Sequence, residues 1–190
     1  MKTKNFYLIK IVIILIINID KKAFSRDCFI YNKKYDYESL YQPNNGSIVY
    51  AHPLSEINDM WKALWSIRVT RSGSIYIQSI YTQEYLCATP NYYKSDQKRR
   101  LLKMKKYREA KSCEWNIKQS ISNDSNENGN DVEKKFIFLV WNVLYNEALY
   151  APIFYYKKDK NNRNLFLWSA ADKSKHLKSD CFKWIFECLD

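Results

Sequence analysis

Glycine is scarce in this chain, with three residues among 190, and only two histidines are present. His52 and His176 both lie in polar, loop-like contexts, and neither has a nucleophile motif such as G-x-S-x-G nearby. The sequence also lacks a P-loop, a G-x-G-x-x-G motif and an H-E-x-x-H motif. These absences disfavour the nucleotide-dependent and metal-dependent enzymes that such motifs mark. We therefore predict a non-enzymatic protein without a metal or cofactor.

A long apolar run is also missing, and the longest one present lies near the amino terminus. Residues 6–17 are apolar apart from one lysine, and this run is shorter than the roughly 20 residues of a membrane-spanning helix. Two lysines precede it, and the small residues Ala23 and Ser25 follow at the positions that a signal peptidase reads. The pattern predicts a signal peptide over residues 1–25, with a retained anchor as the alternative, and a secreted, extracellular single domain over residues 26–190.

All five cysteines lie beyond that segment. An exported chain meets an oxidising compartment, so disulfides are expected, and the odd number leaves one cysteine unpaired or bonded to another molecule. The cysteine spacings are not those of a zinc site. Two N-x-S sequons, at Asn45 and Asn123, lie in turn-like stretches where a glycan can be attached. The sequence therefore predicts a disulfide-bonded glycoprotein.

Positive charge is in excess, with 31 Lys and Arg against 20 Asp and Glu and a net charge of +11. Five lysines and one aspartate of residues 1–25 contribute +4, which leaves +7 for residues 26–190. Such an excess favours acidic partners such as sulfated glycans, anionic lipid surfaces or nucleic acid, although it also promotes solubility.

Tyr, Phe, Trp, Ile and Val are abundant, and these residue types favour strands. No strand-like run continues with helical period for the dozen residues that a helix needs. Residues 121–135 are polar and of low complexity, which is typical of a surface loop. The sequence thus predicts an all-β protein with strand-like runs at 47–51, 65–69, 74–81, 100–106, 115–119, 136–145, 164–169 and 182–188.

Three short segments of the chain repeat one pattern. Each has a glutamate, a leucine two positions later and a nearby proline, and each is followed by a tryptophan that opens a strand-like run. Further strand-like runs lie before and between these landmarks, which gives four strands per repeat and twelve in total. The glutamates are Glu38, Glu84 and Glu147, the leucines are Leu40, Leu86 and Leu149, and the tryptophans are Trp65, Trp115 and Trp184.

Three units of four strands, each with a Trp-led final strand, resemble the β-trefoil superfamily of ricin-B-type lectins, growth-factor-like trefoils and plant Kunitz-type inhibitors. The resemblance implies a β-trefoil of twelve strands in three pseudo-repeats, with six strands in a barrel and three hairpins capping it. In size, signal peptide and aromatic content the chain is also similar to secreted salivary β-trefoils of blood-feeding flies. The Gln of the lectin signature Gln-x-Trp is absent before all three tryptophans. This departure puts lectin activity in doubt but leaves the fold.

The resemblance also assigns the three repeated leucines and three tryptophans to the core. It implies a Cys87–Cys113 disulfide inside the second repeat and a Cys28–Cys188 disulfide between the first and last strands. Cys181 then remains unpaired. A Cys28–Cys181 bond is the alternative.

The candidate ligand site is a basic segment of the second repeat. Alternation along a strand places Arg99, Lys103 and Lys105 on one side and Arg100 on the other. A second basic cluster lies at the corresponding place in the third repeat, and threefold symmetry would bring both onto one rim. Such a rim would attract a polyanion, as basic loops of heparin-binding growth factors do; the alternative is an ordinary solvated surface. The residues are Lys98, Arg99, Arg100, Lys103, Lys105, Lys106 and Arg108, with Lys157, Lys158 and Arg163.

The partner we expect is an extracellular glycan or sulfated polysaccharide. The nearest candidates for a lectin-type site, a polar acceptor beside a ring, are Asp36 with Tyr37 and Asn146 with Tyr145, although ordinary turn and strand packing accounts for both pairs. The alternative function is a secreted inhibitor or effector that binds an extracellular protein, or a growth-factor-like ligand. Nucleic acid fits the charge but not the compartment. We expect a monomer.

Overall fold

The computed structural model describes residues 25–35, 38–44, 48–93, 98–108, 111–120, 136–152, 155–156, 159–168 and 178–189. Several sequence predictions lie outside these residues: the signal peptide apart from Ser25, both sequon asparagines, the loop at 121–135, and the residues Asp36, Tyr37, Lys157, Lys158 and His176. No helix within the described ranges is long and apolar enough to cross a membrane.

Fourteen strands of the described chain form one antiparallel sheet that closes on itself. We divide them into unit one (residues 25–69), unit two (75–119) and unit three (137–188). The strands are β1 (Ser25–Asn32), β2 (Glu38–Tyr41), β3 (Tyr50–Pro53), β4 (Leu64–Val69), β5 (Ile75–Ser79), β6 (Tyr85–Tyr92), β7 (Arg99–Lys105), β8 (Trp115–Gln119), β9 (Ile137–Asn142), β10 (Ala148–Tyr150), β11 (Tyr155–Tyr156), β12 (Asp159–Asn164), β13 (Phe166–Trp168) and β14 (Lys183–Cys188).

The first and last strand of each unit build a six-stranded barrel. The pairing runs β1–β4–β5–β8–β9–β14, and β14 returns to β1. Closure leaves none of these strands with an unpaired edge, which is the structural advantage of a barrel. The hairpins β2–β3, β6–β7 and β10–β13 lie outside the barrel strands. This is the β-trefoil architecture that the resemblance implies, and the fold prediction is confirmed.

The count of twelve strands is not reproduced, and the extra strands belong to unit three. β11 and β12 form an additional short hairpin, and Leu165 separates β12 from β13. β12 pairs with β3 of unit one, whereas β13 pairs with β7 of unit two. The strand that corresponds to β7 is therefore interrupted in unit three, because its two halves pair with the caps of different units.

The core repeats one contact three times. Trp65, Trp115 and Trp184 are fully buried, as are the three leucines of the repeated segments. Each indole Nε1 donates to the carbonyl of its own unit's leucine, at 2.9, 2.9 and 3.1 Å for Leu40, Leu86 and Leu149 respectively. Burial of each of these side chains contributes about 1.5–3 kcal/mol, and the hydrogen bond satisfies an indole that would otherwise be costly to bury. These six residues are structural, as the sequence analysis assigns them.

A short 3-10 turn precedes each of these tryptophan strands, which the strand-based reading of the sequence does not predict. The turns are Met60–Ala63, Lys111–Cys113 and Asp180–Phe182. Asp59 and Ser179 cap the first and third turns by accepting a backbone N–H, as short polar side chains do at helix starts. In each unit the turn leads the chain from the capping hairpin back to the barrel.

Two disulfides are present, and both are the pairs that the resemblance implies. Cys28–Cys188 joins the paired strands β1 and β14, and Cys87–Cys113 joins β6 to the turn before Trp115. Cys181 is a buried free thiol, so the alternative Cys28–Cys181 bond is not formed.

Candidate polyanion-binding site

Strand β7 separates its residues into two rows. Arg100, Leu102 and Met104 face inward and are buried. Lys103 is exposed on the outward side, where Arg99 and Lys105 are half-buried. Successive side chains of a strand point to opposite faces, so the basic segment is divided between the two rows. The strand is basic on both faces, but only one face meets solvent.

Arg100 is therefore not a ligand-binding residue, and this part of the prediction is wrong. The residue is 6% exposed. Its Nε donates to Glu147 Oε2 at 2.7 Å and its Nη2 to Glu147 Oε1 at 3.0 Å, while its guanidinium lies 3.7 Å from the ring centre of Tyr145. Burial by itself lowers the pKa of Arg100, but the hydrogen bonds and charge of Glu147 outweigh this and raise it. The Arg100 guanidinium is thus fully committed inside the fold.

Arg163 repeats this arrangement in unit three and is likewise wrongly predicted as a ligand residue. It is 1% exposed, and its Nε and Nη2 donate to the Glu38 carboxylate at 2.7 and 2.9 Å. The guanidinium lies 3.4 Å from the ring centre of Tyr35. A bidentate Arg–carboxylate pair is among the strongest polar contacts in proteins. Arg163 therefore stabilises the fold and does not face a ligand. The described residues therefore do not place two basic clusters on one rim.

The third repeated glutamate, Glu84, bonds to a neutral amide instead of an arginine. The Glu84 carboxylate accepts a hydrogen bond from Gln42 Nε2 at 2.8 Å, and Gln42 Oε1 accepts from the Thr82 hydroxyl at 2.8 Å. The position in unit one that corresponds to Arg100 and Arg163 is Ser47, which lies outside the described residues. All three repeated glutamates thus bond to a side chain from another unit, a role that the repeat itself does not reveal.

Turn geometry holds two of these glutamates in place. The residues just before them, Gln83 and Asn146, have φ angles of 60° and 51°. Asparagine tolerates this left-handed conformation better than most residues do. The pair Asn146 with Tyr145 is one of the two candidates for a lectin-type site. Because Asn146 forms the turn and the ring of Tyr145 packs against Arg100, this pair is structural.

The remaining cations of the segment face outward. We call Arg99, Lys103 and Lys105 the β7 cation row; neighbouring members of an outward row lie about 7 Å apart for each two residues of strand. Lys98, Lys106 and Arg108 are exposed at its ends. Arg108 lies 5.5 Å from the ring centre of Tyr76, and the Tyr76 hydroxyl donates to Glu114 at 3.3 Å. Burial, followed by the charge of Glu114, raises the pKa of Tyr76.

The β7 cation row borders a set of aromatic rings at one end. Trp168 of β13 lies directly opposite Arg99 in the register of the two strands, so the two side chains share a face of the sheet. The Arg99 guanidinium lies 4.9 Å from the ring centre of Tyr93 and 5.7 Å from that of Phe166. Arginine stacks in this way on ring faces.

The rings continue beyond Trp168. Tyr150 lies 5.2 Å from Trp168 and 4.7 Å from Phe182, measured between ring centres. Burial and then Cys181 raise the pKa of Tyr150, while Arg99 and Arg163 oppose the rise. We call Tyr150, Phe166, Trp168 and Phe182 the unit-three ring cluster, and Tyr93 of unit two lies at its edge. Phe166 and Phe182 are buried, whereas Tyr150, Trp168 and Tyr93 are half-buried. Sequence reasoning missed this cluster because only the pairing of β7 with β13 brings it beside the cations.

No protein-family model and no curated protein matches this sequence. The class of protein is nevertheless defined by the fold, which is a β-trefoil. Similar solved structures include the designed threefold-symmetric protein ThreeFoil, with 12% identity, 86% of this chain and 99% of that chain covered, and a TM-score of 0.57.

Two natural proteins have comparable similarity. For the SDF2-like protein from Arabidopsis thaliana, identity is 10%, coverage is 86% of this chain and 93% of that chain, and the TM-score is 0.61. For the Macrolepiota procera ricin B-like lectin, solved in complex with lactose, identity is 13%, coverage is 85% and 94%, and the TM-score is 0.56. Identities this low carry the fold and not the activity.

Proposed function

We propose that this protein is a secreted, non-enzymatic β-trefoil that binds an acidic polysaccharide through the β7 cation row. The observation that carries the proposal is the outward alignment of Arg99, Lys103 and Lys105 on one strand, with Lys98, Lys106 and Arg108 exposed at its ends. A linear polyanion laid along the strand would contact several of these charges at once.

Electrostatics supports this reading. Within the described residues neither Lys103 nor Lys106 has an ion-pair partner, so neither charge is neutralised inside the fold. The net charge of +7 on residues 26–190 also favours the approach of an anionic ligand. Exposed charge pairs are screened within about 8–10 Å at physiological salt. Binding should therefore weaken steeply as salt is raised.

Secretion is supported by two features. The amino-terminal residues have the charge, apolar run and small-residue spacing of a cleavable signal. The two disulfides, Cys28–Cys188 and Cys87–Cys113, are stable in oxidising compartments and rare in reducing ones. A glycan ligand is compatible with the neighbouring lectin fold, since one similar structure is a lectin in complex with lactose.

The test uses the full chain expressed in eukaryotic cells. We expect a protein in the medium that begins near residue 26, by mass spectrometry, and that elutes from immobilised heparin with increasing salt. The variant Lys103→Gln/Lys105→Gln/Lys106→Gln should elute at markedly lower salt. The control Arg71→Gln/Lys118→Gln/Lys178→Gln removes the same charge from other exposed positions and should elute close to the wild type. If both variants elute at equally lowered salt, heparin binding depends on net charge and not on the β7 cation row. If the wild type is not retained on heparin, the proposed function is refuted.

A protein target is the second candidate, because one large ring is unusually exposed. Trp61 is 60% exposed, and the adjacent Met60 is 42% exposed. Both lie in a turn capped by Asp59, whose carboxylate accepts the Trp61 N–H at 3.2 Å. Tryptophan is enriched among the residues that dominate protein interfaces. Loss of a one-to-one protein complex in Trp61→Ala, with heparin retention unchanged, would support this alternative.

A further inference from the structure

The β7 cation row and the unit-three ring cluster lie on one continuous face. Strand β7 pairs with β13, and β13 pairs with β10, so Arg99, Trp168 and Ala148 follow one another across the sheet. Neighbouring strands lie about 4.8 Å apart. A ligand that contacts the cations therefore lies within one sugar unit of partly exposed rings.

We propose that the site extends from the β7 cation row onto Trp168 and Tyr93, and that its ligand is a sulfated polysaccharide recognised by sugar ring and charge together. This inference rests on the polyanion-binding function proposed above. A pyranose ring has an apolar C–H face that packs against an aromatic ring, while its sulfates accept hydrogen bonds from cations. The structure offers both kinds of contact side by side.

Arg99 belongs to the β7 cation row and also contacts the aromatic rings. Its guanidinium lies beside both Tyr93 and Phe166, at 4.9 and 5.7 Å from their ring centres, and the two rings are 5.2 Å apart. The rings also restrict the side chain before the ligand binds, so less conformational entropy is lost on binding. The positive charge of Arg99 is thereby fixed opposite Trp168, where it would attract a sulfate of a sugar stacked on that ring.

The spacing of the cations along β7 indicates how a linear ligand would lie on the site. Lys103 lies four residues from Arg99 on the same outward row, which corresponds to about 13 Å along the strand. A chain that begins on Trp168, passes Arg99 and follows β7 would present charges to Lys103 and then Lys105. Compact anions such as inorganic phosphate would contact one cation only.

Single-stranded nucleic acid also combines charge with stacking rings. The disulfides favour the glycan, because they indicate an oxidising environment. The test therefore uses three probes: a sulfated heparin oligosaccharide, inorganic polyphosphate of similar charge, and a single-stranded DNA oligonucleotide. Polyphosphate has the charge of the oligosaccharide but no sugar ring.

The informative variant is Trp168→Leu, which keeps an apolar contact with Tyr150 but removes the flat ring. We expect about tenfold weaker binding of the oligosaccharide and polyphosphate affinity within about twofold of the wild type. Phe136→Leu, which removes an exposed ring elsewhere by the same kind of substitution, is the control and should leave both affinities unchanged. Calorimetry at fixed salt measures each affinity, and unfolding midpoints show that both variants fold.

The outcomes separate this inference from the function on which it rests. If the variant lacking Lys103, Lys105 and Lys106 binds the oligosaccharide as the wild type does, the proposed function itself fails. If that variant loses binding but Trp168→Leu does not, only the ring contribution is overturned. An equal loss of polyphosphate binding in Trp168→Leu would overturn it as well. If DNA binds more tightly than the oligosaccharide and depends equally on Trp168, the ligand is a nucleic acid and not a glycan.

Discussion

Units two and three share one inward row and differ in the outward row. Opposite the repeated leucines, β7 presents Met104 and β13 presents Leu167, and four residues earlier each unit has a buried arginine. Outward, unit two has Lys103 and Lys105, whereas the corresponding positions of unit three are Phe166 and Trp168. Units two and three thus share their inward row, whereas unit one has Ala51 and Ser47 at the corresponding positions. The outward rows differ, with lysines in unit two and aromatic rings in unit three, where Phe166 is buried and Trp168 is half-buried.

The same contrast recurs where each hairpin meets its tryptophan strand. In unit two the residue after the repeated leucine is Cys87, bonded to Cys113. In unit three the corresponding residues are Tyr150 and Phe182, whose rings pack at 4.7 Å. One junction is held by a covalent bond and the other by aromatic packing. The fold specifies that these two positions touch, but it does not specify how.

The largest expected effect comes from the inward row. Glu147→Ala leaves the buried Arg100 without its carboxylate, and removing one partner of a buried pair costs about 3–5 kcal/mol. Glu84→Ala is the matched control: it leaves only the neutral Gln42 amide unpaired, at about 1–3 kcal/mol. Denaturant unfolding at an unchanged m-value measures both. Equal losses in the two variants would show that the charge of the arginine is not what distinguishes these contacts.

A smaller effect is expected at the junction of unit two. Cys87→Ala/Cys113→Ala opens a loop whose ends are 26 residues apart, which lowers the free energy of unfolding by about 3 kcal/mol. The free thiol variant Cys181→Ala should cost less, because it removes no crosslink. A double variant as stable as Cys181→Ala would mean that packing alone holds this junction, as it does in unit three. Thermal unfolding of the three proteins side by side decides between these results.

The smallest effect belongs to the aromatic junction and appears at high pH. Burial and Cys181 raise the pKa of Tyr150 above its ordinary value, which is about 10. The neutral phenol therefore stabilises the fold fully below about pH 10, and this contribution is lost as pH rises through the raised pKa. Tyr150→Phe should flatten the alkaline decline in stability, whereas Tyr107→Phe, at a residue 78% exposed, should not. A parallel decline in all three proteins would assign the effect to other groups.

Much of the fold was predictable because its determinants repeat. The three leucines and three tryptophans recur with their order intact, and each buried tryptophan needs the same carbonyl acceptor. The 3-10 turns were missed, since three or four residues carry no periodic signal. The extra strands of unit three were missed as well. β12 forms by pairing with β3 of unit one, which is far away in the sequence.

The candidate site was only half predictable. Strand alternation correctly separated Arg99 from Arg100, but both faces of the segment were basic, so the sequence could not say which face was buried. That decision depends on Glu147, which lies 47 residues away in the chain and beside Arg100 in space. The ring cluster depends in the same way on the register of β7 with β13. Contacts between units, rather than residues within one, decide what this surface can bind.

The three glutamate contacts run in one rotational sense. Gln42 of unit one reaches Glu84 of unit two, Arg100 of unit two reaches Glu147 of unit three, and Arg163 of unit three reaches Glu38 of unit one. In the vocabulary of oligomers, the units are head-to-tail subunits of a closed trimer that happen to share one chain. A unit that has both the arginine and the glutamate, as units two and three do, contains both halves of that interface. Three separate copies of such a unit would satisfy one another's buried charges without any linker between them.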